Sequence, residues 1–167
     1  MSALPSVDAG RFRQAMARMP GAVSVVTVQA PEGRYGRTVS AVMSLSANPP
    51  SLLISLLASA PIAEAVAQVG AFSLAVVSEA NLSTAMAFSG QPPMAMEERF
   101  GIGTWVRGGC GLWLGQASVN LDCRVTQVMD IATHRVIAAE VVATEHTDQP
   151  PLTYLSQTFG LHAPLGG

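Results

Sequence analysis

From Val119 to Thr126 apolar and polar side chains alternate without a break. Val119, Leu121, Cys123 and Val125 fall on one side, and Asn120, Asp122, Arg124 and Thr126 on the other. A period of two is that of an extended strand with one apolar face, and no helix sorts these residues in that way. Other segments repeat the theme. Residues 22–29 are rich in valine and read as a strand. Pro31-Glu32-Gly33 supplies turn chemistry, and residues 36–44 read as the returning strand of a hairpin. Asn48-Pro49-Pro50 interrupts; residues 52–57, apolar on both sides, then predict a central strand. Residues 72–77 and 134–144 predict two more.

Helices are few and short. Asp8 is placed to cap a helix over residues 9–19, with Phe12, Ala15, Met16 and Met19 on one face and Pro20-Gly21 as its stop. Residues 61–69, with a proline in the first turn, and residues 82–88 predict two others. Residues 90–111 carry glycines and prolines and predict a long loop with a helical turn near 97–100. Many strands at hairpin spacing with few helices predict a closed or nearly closed antiparallel sheet in a single domain.

The chain carries 49% hydrophobic and 12% charged residues, about half the charge of an ordinary domain. No apolar run reaches the roughly 18–20 residues that span a bilayer. The apolar excess therefore points to a subunit interface rather than to a membrane. Nucleic acid is excluded as a partner: the net charge is −2, and nine Lys+Arg spread thinly make no basic stripe. Residues 1–10 lack the layout of a signal peptide, which predicts a cytoplasmic setting. Cys110 and Cys123 are too few for a zinc site, so no metal is expected, and they read as two buried free thiols.

The run Gly36-Arg37-Thr38-Val39-Ser40-Ala41-Val42-Met43-Ser44-Leu45-Ser46-Ala47-Asn48-Pro49-Pro50 resembles the signature of the flavin reductase-like family. That family includes the reductase components of hydroxyphenylacetate and related aromatic monooxygenases. Phe12 to Met16 with Gly21 to Thr27 resembles its opening helix and strand. Gly70-Ala71-Phe72, Phe88-Ser89-Gly90, Arg99-Phe100 and Trp105 follow in order. Leu121 to Val125, His134 with Glu140-Val141, and Pro151-Leu152-Thr153-Tyr154 resemble its later strands. The likeness runs over about residues 11–155 of a domain spanning 1–167. Thr133 stands where the family has an aspartate, and Ala139 where it has a glycine. The proline usual before the long strand is missing near Leu112. Leu57-Ala58-Ser59-Ala60-Pro61 lacks the usual lysine or arginine.

The resemblance implies a mostly β fold, an antiparallel FMN-binding split β-barrel with a few short flanking helices. It implies a homodimer holding FMN, or FAD, near its interface, and NADH or NADPH as co-substrate. Reduced flavin would pass to a separate flavin-dependent monooxygenase. Small residues Thr38, Val39, Ser40 and Ala41 would let the backbone approach the ring and bond its N5 and O4 edge. The alternative is a strand whose Thr and Ser line a wet face. Ser44, Ser46 and Asn48 would meet ribityl or phosphate oxygens, or serve the turn itself. Ser59 would hold phosphate at a helix start, or act as a plain cap. His134 would position the nicotinamide or balance a proton. Tyr154 would close the site or pack at an interface. Arg99, beside Phe100, would pair with a phosphate or carboxylate, or with Glu97 or Glu98. Trp105 and Trp113 read as core or interface. The competing functional reading is a flavin-binding or haem-binding split barrel without reductase activity.

Overall fold

The computed structural model describes residues 5–165. The Asp8 carboxylate opens helix α1 (Ala9–Met16) by accepting from the N–H groups of Gly10 and Arg11 at 2.9 and 3.0 Å. The helix is shorter than the predicted 9–19. Arg18 and Met19 bond carbonyls three residues back, the tighter spacing of a fraying last turn. Its apolar side is not buried: Phe12, Met16 and Met19 are all exposed.

Strands β1 (Gly21–Ala22), β2 (Ser24–Ala30) and β3 (Gly33–Val39) follow, then β4 (Val42–Ala47) and β5 (Pro50–Leu57). Helix α2 (Pro61–Val69) leads to β6 (Ala71–Val76), and a 3-10 turn at Glu79–Asn81 leads to α3 (Leu82–Ser89). The predicted loop contains helix α4 (Met96–Phe100) and strand β7 (Trp105–Arg107), which pairs with β8 (Leu112–Leu114). The chain ends in β9 (Val119–Ile131), β10 (His134–His146), β11 (Leu152–Leu155) and β12 (Thr158–Leu161).

Seven strands form one antiparallel sheet in the order β3-β2-β6-β9-β10-β5-β4. This corrects the expected single strand over residues 36–44. That stretch is two strands, and they are the two edges of the sheet. Only Ser40 and Ala41 separate them, so Val39 and Val42 lie within roughly 11 Å of one another. A sheet whose edges are joined by so short a link must curl until they meet. The outcome is a barrel split along one seam, whose link is held by the Val42 N–H on the Ser40 carbonyl and tied to β5 by the Ser55 N–H on the Ala41 carbonyl.

The barrel interior is filled by Val26, Val28, Leu52, Ile54, Leu56, Phe72, Leu74, Cys123 and Ile137. Helix α2 plugs it with Ile62, Ala63, Ala65 and Val66, and Gly70 at φ 73° ends the helix in the left-handed region. A second core lies outside the barrel. Val23, Val25, Ala75 and Val77 meet Ala85 and Phe88 of α3, Phe100 of α4, and Leu112 and Leu114 of β8. Gly36 is required there, since a Cβ would sit 2.3 Å from Phe88 Cε1.

The polar side of β9 is polar for an unexpected reason: Asp122 is 1% exposed and Asn120 is buried beside it. Asp122 accepts from Ser73 Oγ at 2.5 Å, Gly109 N at 2.6 Å and Trp113 Nε1 at 3.0 Å. Asn120 brackets the backbone of Leu114, accepting from its N–H and donating to its carbonyl. Thr27 does the same for Leu112. Strand β8 lies across the sheet face rather than in it, so its outer edge bonds side chains in place of a ladder. Of the two cysteines, both free, Cys123 is buried, and burial pushes its thiol pKa up to about 12. Cys110 is only half-buried, which corrects the expectation of two buried thiols.

Candidate functional site

Three grooves meet at Ser40, on the seam. The largest, about 700 Å3, is lined by Met16, Met19, Ala22, Ser24, Val42, Val76 and Tyr154, with Ser40 and Ala41 at its edge. A second, about 190 Å3, runs between Val23, Thr38, Val39, Ser40, Tyr154 and Phe159. A third, about 180 Å3, is walled by Arg37 to Ala41, by Ser55 to Leu57 and Ala60, and by His134. Thr38, Val39, Ser40, Ala41, Tyr154 and His134 thus share one locus, although 96 residues separate Thr38 from His134 in the chain.

Local structure explains what the seam offers. Beyond Val39 the ladder to β2 stops. The carbonyls of Ser40 and Ala41 accept from Val42 and Ser55, whereas their N–H groups donate to no backbone carbonyl among the described residues. Two adjacent donors where the three grooves meet are thus left without a backbone partner among the described residues. The Thr38 hydroxyl is not one of the donors: it bonds the Ala85 carbonyl at 2.6 Å and ties β3 to α3. Ser24 adds another polar group. Ser24 belongs to the wall of the largest groove, and its hydroxyl is buried with no hydrogen-bond partner among the described residues. A buried hydroxyl without a partner is costly, and it is satisfied when a ligand supplies one.

His134 opens β10 at the rim, paired with Leu57 on one side and Ile131 on the other. Its Nδ1 lies 3.0 Å from the hydroxyl of Thr133, the residue that departs from the family's aspartate at this place. Next to it, Arg135 is committed elsewhere, to Asp130 and to Glu64 at 2.8 Å each. Those bonds hold both carboxyls below the usual carboxylate range and raise the guanidinium further.

Other expected residues lie away from the seam. Ser44 and Ser46 line a separate groove of about 310 Å3 with Leu121, Val141 and Thr144. Ser46 Oγ also accepts from Asn48 N and donates to the Asn48 carbonyl, the turn chemistry that was the alternative for this pair. Ser59 is exposed and does not cap α2, whose N-cap is Ala60. Arg99 donates to the Met94 carbonyl at 3.1 Å and pairs with neither neighbouring glutamate. Glu97 instead holds Arg34, and Glu98 accepts from Ala95 N. Phe100 is buried in the outer core against Phe88 and Trp105, with the Arg34 guanidinium over its ring. No sequence signal singles out Ser24, Arg37 or Ser55; Arg37 lies inside the run from Gly36 to Pro50, and its direction depends on the seam.

A split antiparallel barrel with small residues at the joint of its two edges is the fold that the resemblance to the flavin reductase-like family implied. The chain belongs to the flavin reductase like domain family, whose pattern matches residues 16–160. It is 35% identical over 164 residues to the FMN reductase (NADH) RutF of Ancylobacter novellus, covering 97% of this chain and 88% of that one. Its fold superposes on the crystal structure of a flavin reductase domain protein from Arthrobacter sp. FB24 with TM-score 0.86 and 24% identity, over 96% of this chain and 99% of the other. The styrene monooxygenase flavin reductase of Pseudomonas putida S12 shares the fold at TM-score 0.82 and 24% identity, over 93% and 99% of the two chains.

Proposed function

We propose that the chain is one flavin reductase-like domain that uses NADH to reduce FMN and releases reduced flavin to a separate monooxygenase. The observation that carries this reading is the pair of unpaired Ser40 and Ala41 N–H groups at the meeting of three grooves. FMN held there would supply the redox chemistry, as the acceptor of hydride from the nicotinamide. The chain supplies position and exclusion of water. Ala22, Val42 and Val76 offer apolar walls of the largest groove, suited to a flat ring. The Ser40 and Ala41 amides suit the polar edge of that ring, where donors gain strength as negative charge develops. Ser24 offers a further hydrogen bond from below. Tyr154, lining two of the grooves, closes the side nearest β11. His134, with Thr133 at Nδ1, stands at the rim to orient the second nucleotide.

Support for FMN and NADH comes from the relative named above, an FMN reductase (NADH). The oxygenase partner draws on the fold shared with a styrene monooxygenase flavin reductase. A homodimer accounts for the exposed Met43, Leu45, Leu57 and Ile131 on the outer barrel face. Among the described residues no helix is long and apolar enough to cross a membrane. A cytoplasmic setting suits two free cysteines and an NADH-consuming reaction.

The test is NADH oxidation followed with and without added FMN. Turnover that depends on flavin is expected. Flavin retained through purification with no oxidation of NADH or NADPH would replace this reading with that of a binding protein.

A further inference from the structure

The segment Leu57-Ala58-Ser59-Ala60-Pro61 carries no cation, yet a cation stands against it in space. On β3, Gly36 packs on Phe88 and Thr38 bonds Ala85, so both face α3. Strand alternation sends Arg37, between them, to the opposite side. There it lines the 180 Å3 groove with Leu57, Ala60 and His134. The nine cations of this chain are all arginines. Among the described residues Arg34, Arg124 and Arg135 are held by carboxylates and Arg99 by a carbonyl. Arg11, Arg13, Arg18, Arg37 and Arg107 have neither an ion pair nor a side-chain hydrogen bond among the described residues; of these five it is Arg37, itself exposed, that lines a seam groove, and no acid lines it with Arg37. The same wall offers the Ser40 and Ser55 hydroxyls. A guanidinium without a counter-charge, beside two hydroxyls in a concave space of that size, matches a phosphate group, which arginine clamps through two parallel bonds.

We propose that Arg37 holds a phosphate of the bound nucleotide and sets the preference for phosphorylated over phosphate-free ligands. This rests on the flavin reductase reading and adds a residue to its site. The phosphate belongs either to the flavin mononucleotide or to the dinucleotide, and the experiment separates the two. Dissociation constants are measured by fluorescence for FMN against riboflavin, and for NADH against reduced nicotinamide riboside. Wild type, Arg37→Gln and Arg37→Lys are compared. In one pair the wild type favours the phosphorylated ligand, and Arg37→Gln reduces that preference about tenfold. Arg37→Lys restores part of it, since lysine keeps the charge and loses the fork. A change in the FMN-to-riboflavin ratio assigns the flavin phosphate, and a change in the NADH ratio assigns the dinucleotide. Added salt weakens the affected ligand in wild type more than in Arg37→Gln. Equal weakening of phosphorylated and phosphate-free ligands, or no change in either ratio, overturns the proposal. Because binding is read without turnover, a wild type that binds flavin but leaves NADH unoxidised refutes the reductase reading and still tests Arg37.

Discussion

At the residue scale, Ser24 separates stability from binding. Its hydroxyl is buried in the wall of the largest groove with nothing to bond. A buried unpartnered hydroxyl costs about 1–3 kcal/mol, so Ser24→Ala should make the ligand-free protein more stable by about 1 kcal/mol. The same change should weaken FMN by roughly fivefold, about 1 kcal/mol of lost hydrogen bonding. Opposite signs in the two measurements, thermal melting without flavin and a flavin titration, mark a group kept for its ligand. A loss of stability together with unchanged FMN affinity would show that the hydroxyl serves the fold alone. Residue identity in the sequence carried part of this site. Thr38 to Ala41 and His134 were legible because small residues and a histidine stand in a recognisable order. Ser24 was not, since nothing in a valine-rich strand announces a hydroxyl turned toward a seam. Phe100 and Arg99 lie away from the seam for the converse reason: an arginine beside an aromatic looks like a ligand clamp, whereas here Phe100 packs into the outer core and Arg99 bonds the Met94 carbonyl.

At the scale of elements, period two identified β9 but not what covers it. The Asp122 side became a fastening for β8 because that strand crosses the sheet and needs partners from below. Asp122→Asn keeps the shape but presents an amide N–H to one of the two donors, Gly109 or Trp113, that meet its separate oxygens. That donor then loses its acceptor, which costs about 1–3 kcal/mol. For a domain of this size each kcal/mol moves the midpoint by roughly 2–4 °C, so a drop of about 2–12 °C is expected by calorimetry. Arg135 fastens a different junction, tying β9 through Asp130 and α2 through Glu64. Both carboxyls have folded pKa values below their ordinary ones because of that arginine. A lowered folded pKa stabilises above the unfolded value and ceases to do so as pH falls through the folded one. The contribution is therefore complete at neutral pH and disappears below about pH 4. Arg135→Met should be less stable than wild type at neutral pH and should approach it in acid. A gap that stays constant across that range would place the arginine's role in packing rather than charge.

At the scale of the whole molecule, the strand β5 was read as apolar on both sides, and the reason lies outside one barrel. Leu52, Ile54 and Leu56 fill the interior, while Leu53 is half-buried and Leu57 exposed on the outer surface. Cross-strand pairing sets Leu53 beside Met43, and carries Leu57 across His134 to Ile131. The outer face of β4, β5, β10 and β9 is thus apolar next to the seam, with Met43 53% and Ile131 55% exposed. A monomer in water does not ordinarily leave so coherent a patch uncovered. A two-fold dimer would lay this face on its own copy, in keeping with the low charge of the chain. The patch adjoins the third groove through Leu57 and His134, so dimer formation would narrow that groove as well as bury the face. Met43→Glu puts a charge at the edge strand, where two copies would place it near the axis. Sedimentation should then show wild type as a dimer and the variant as a monomer at micromolar concentration, with FMN bound more weakly by the monomer. A wild type that sediments as a monomer at that concentration removes the partner subunit from the site, and the grooves at Ser40 would have to bind both nucleotides alone.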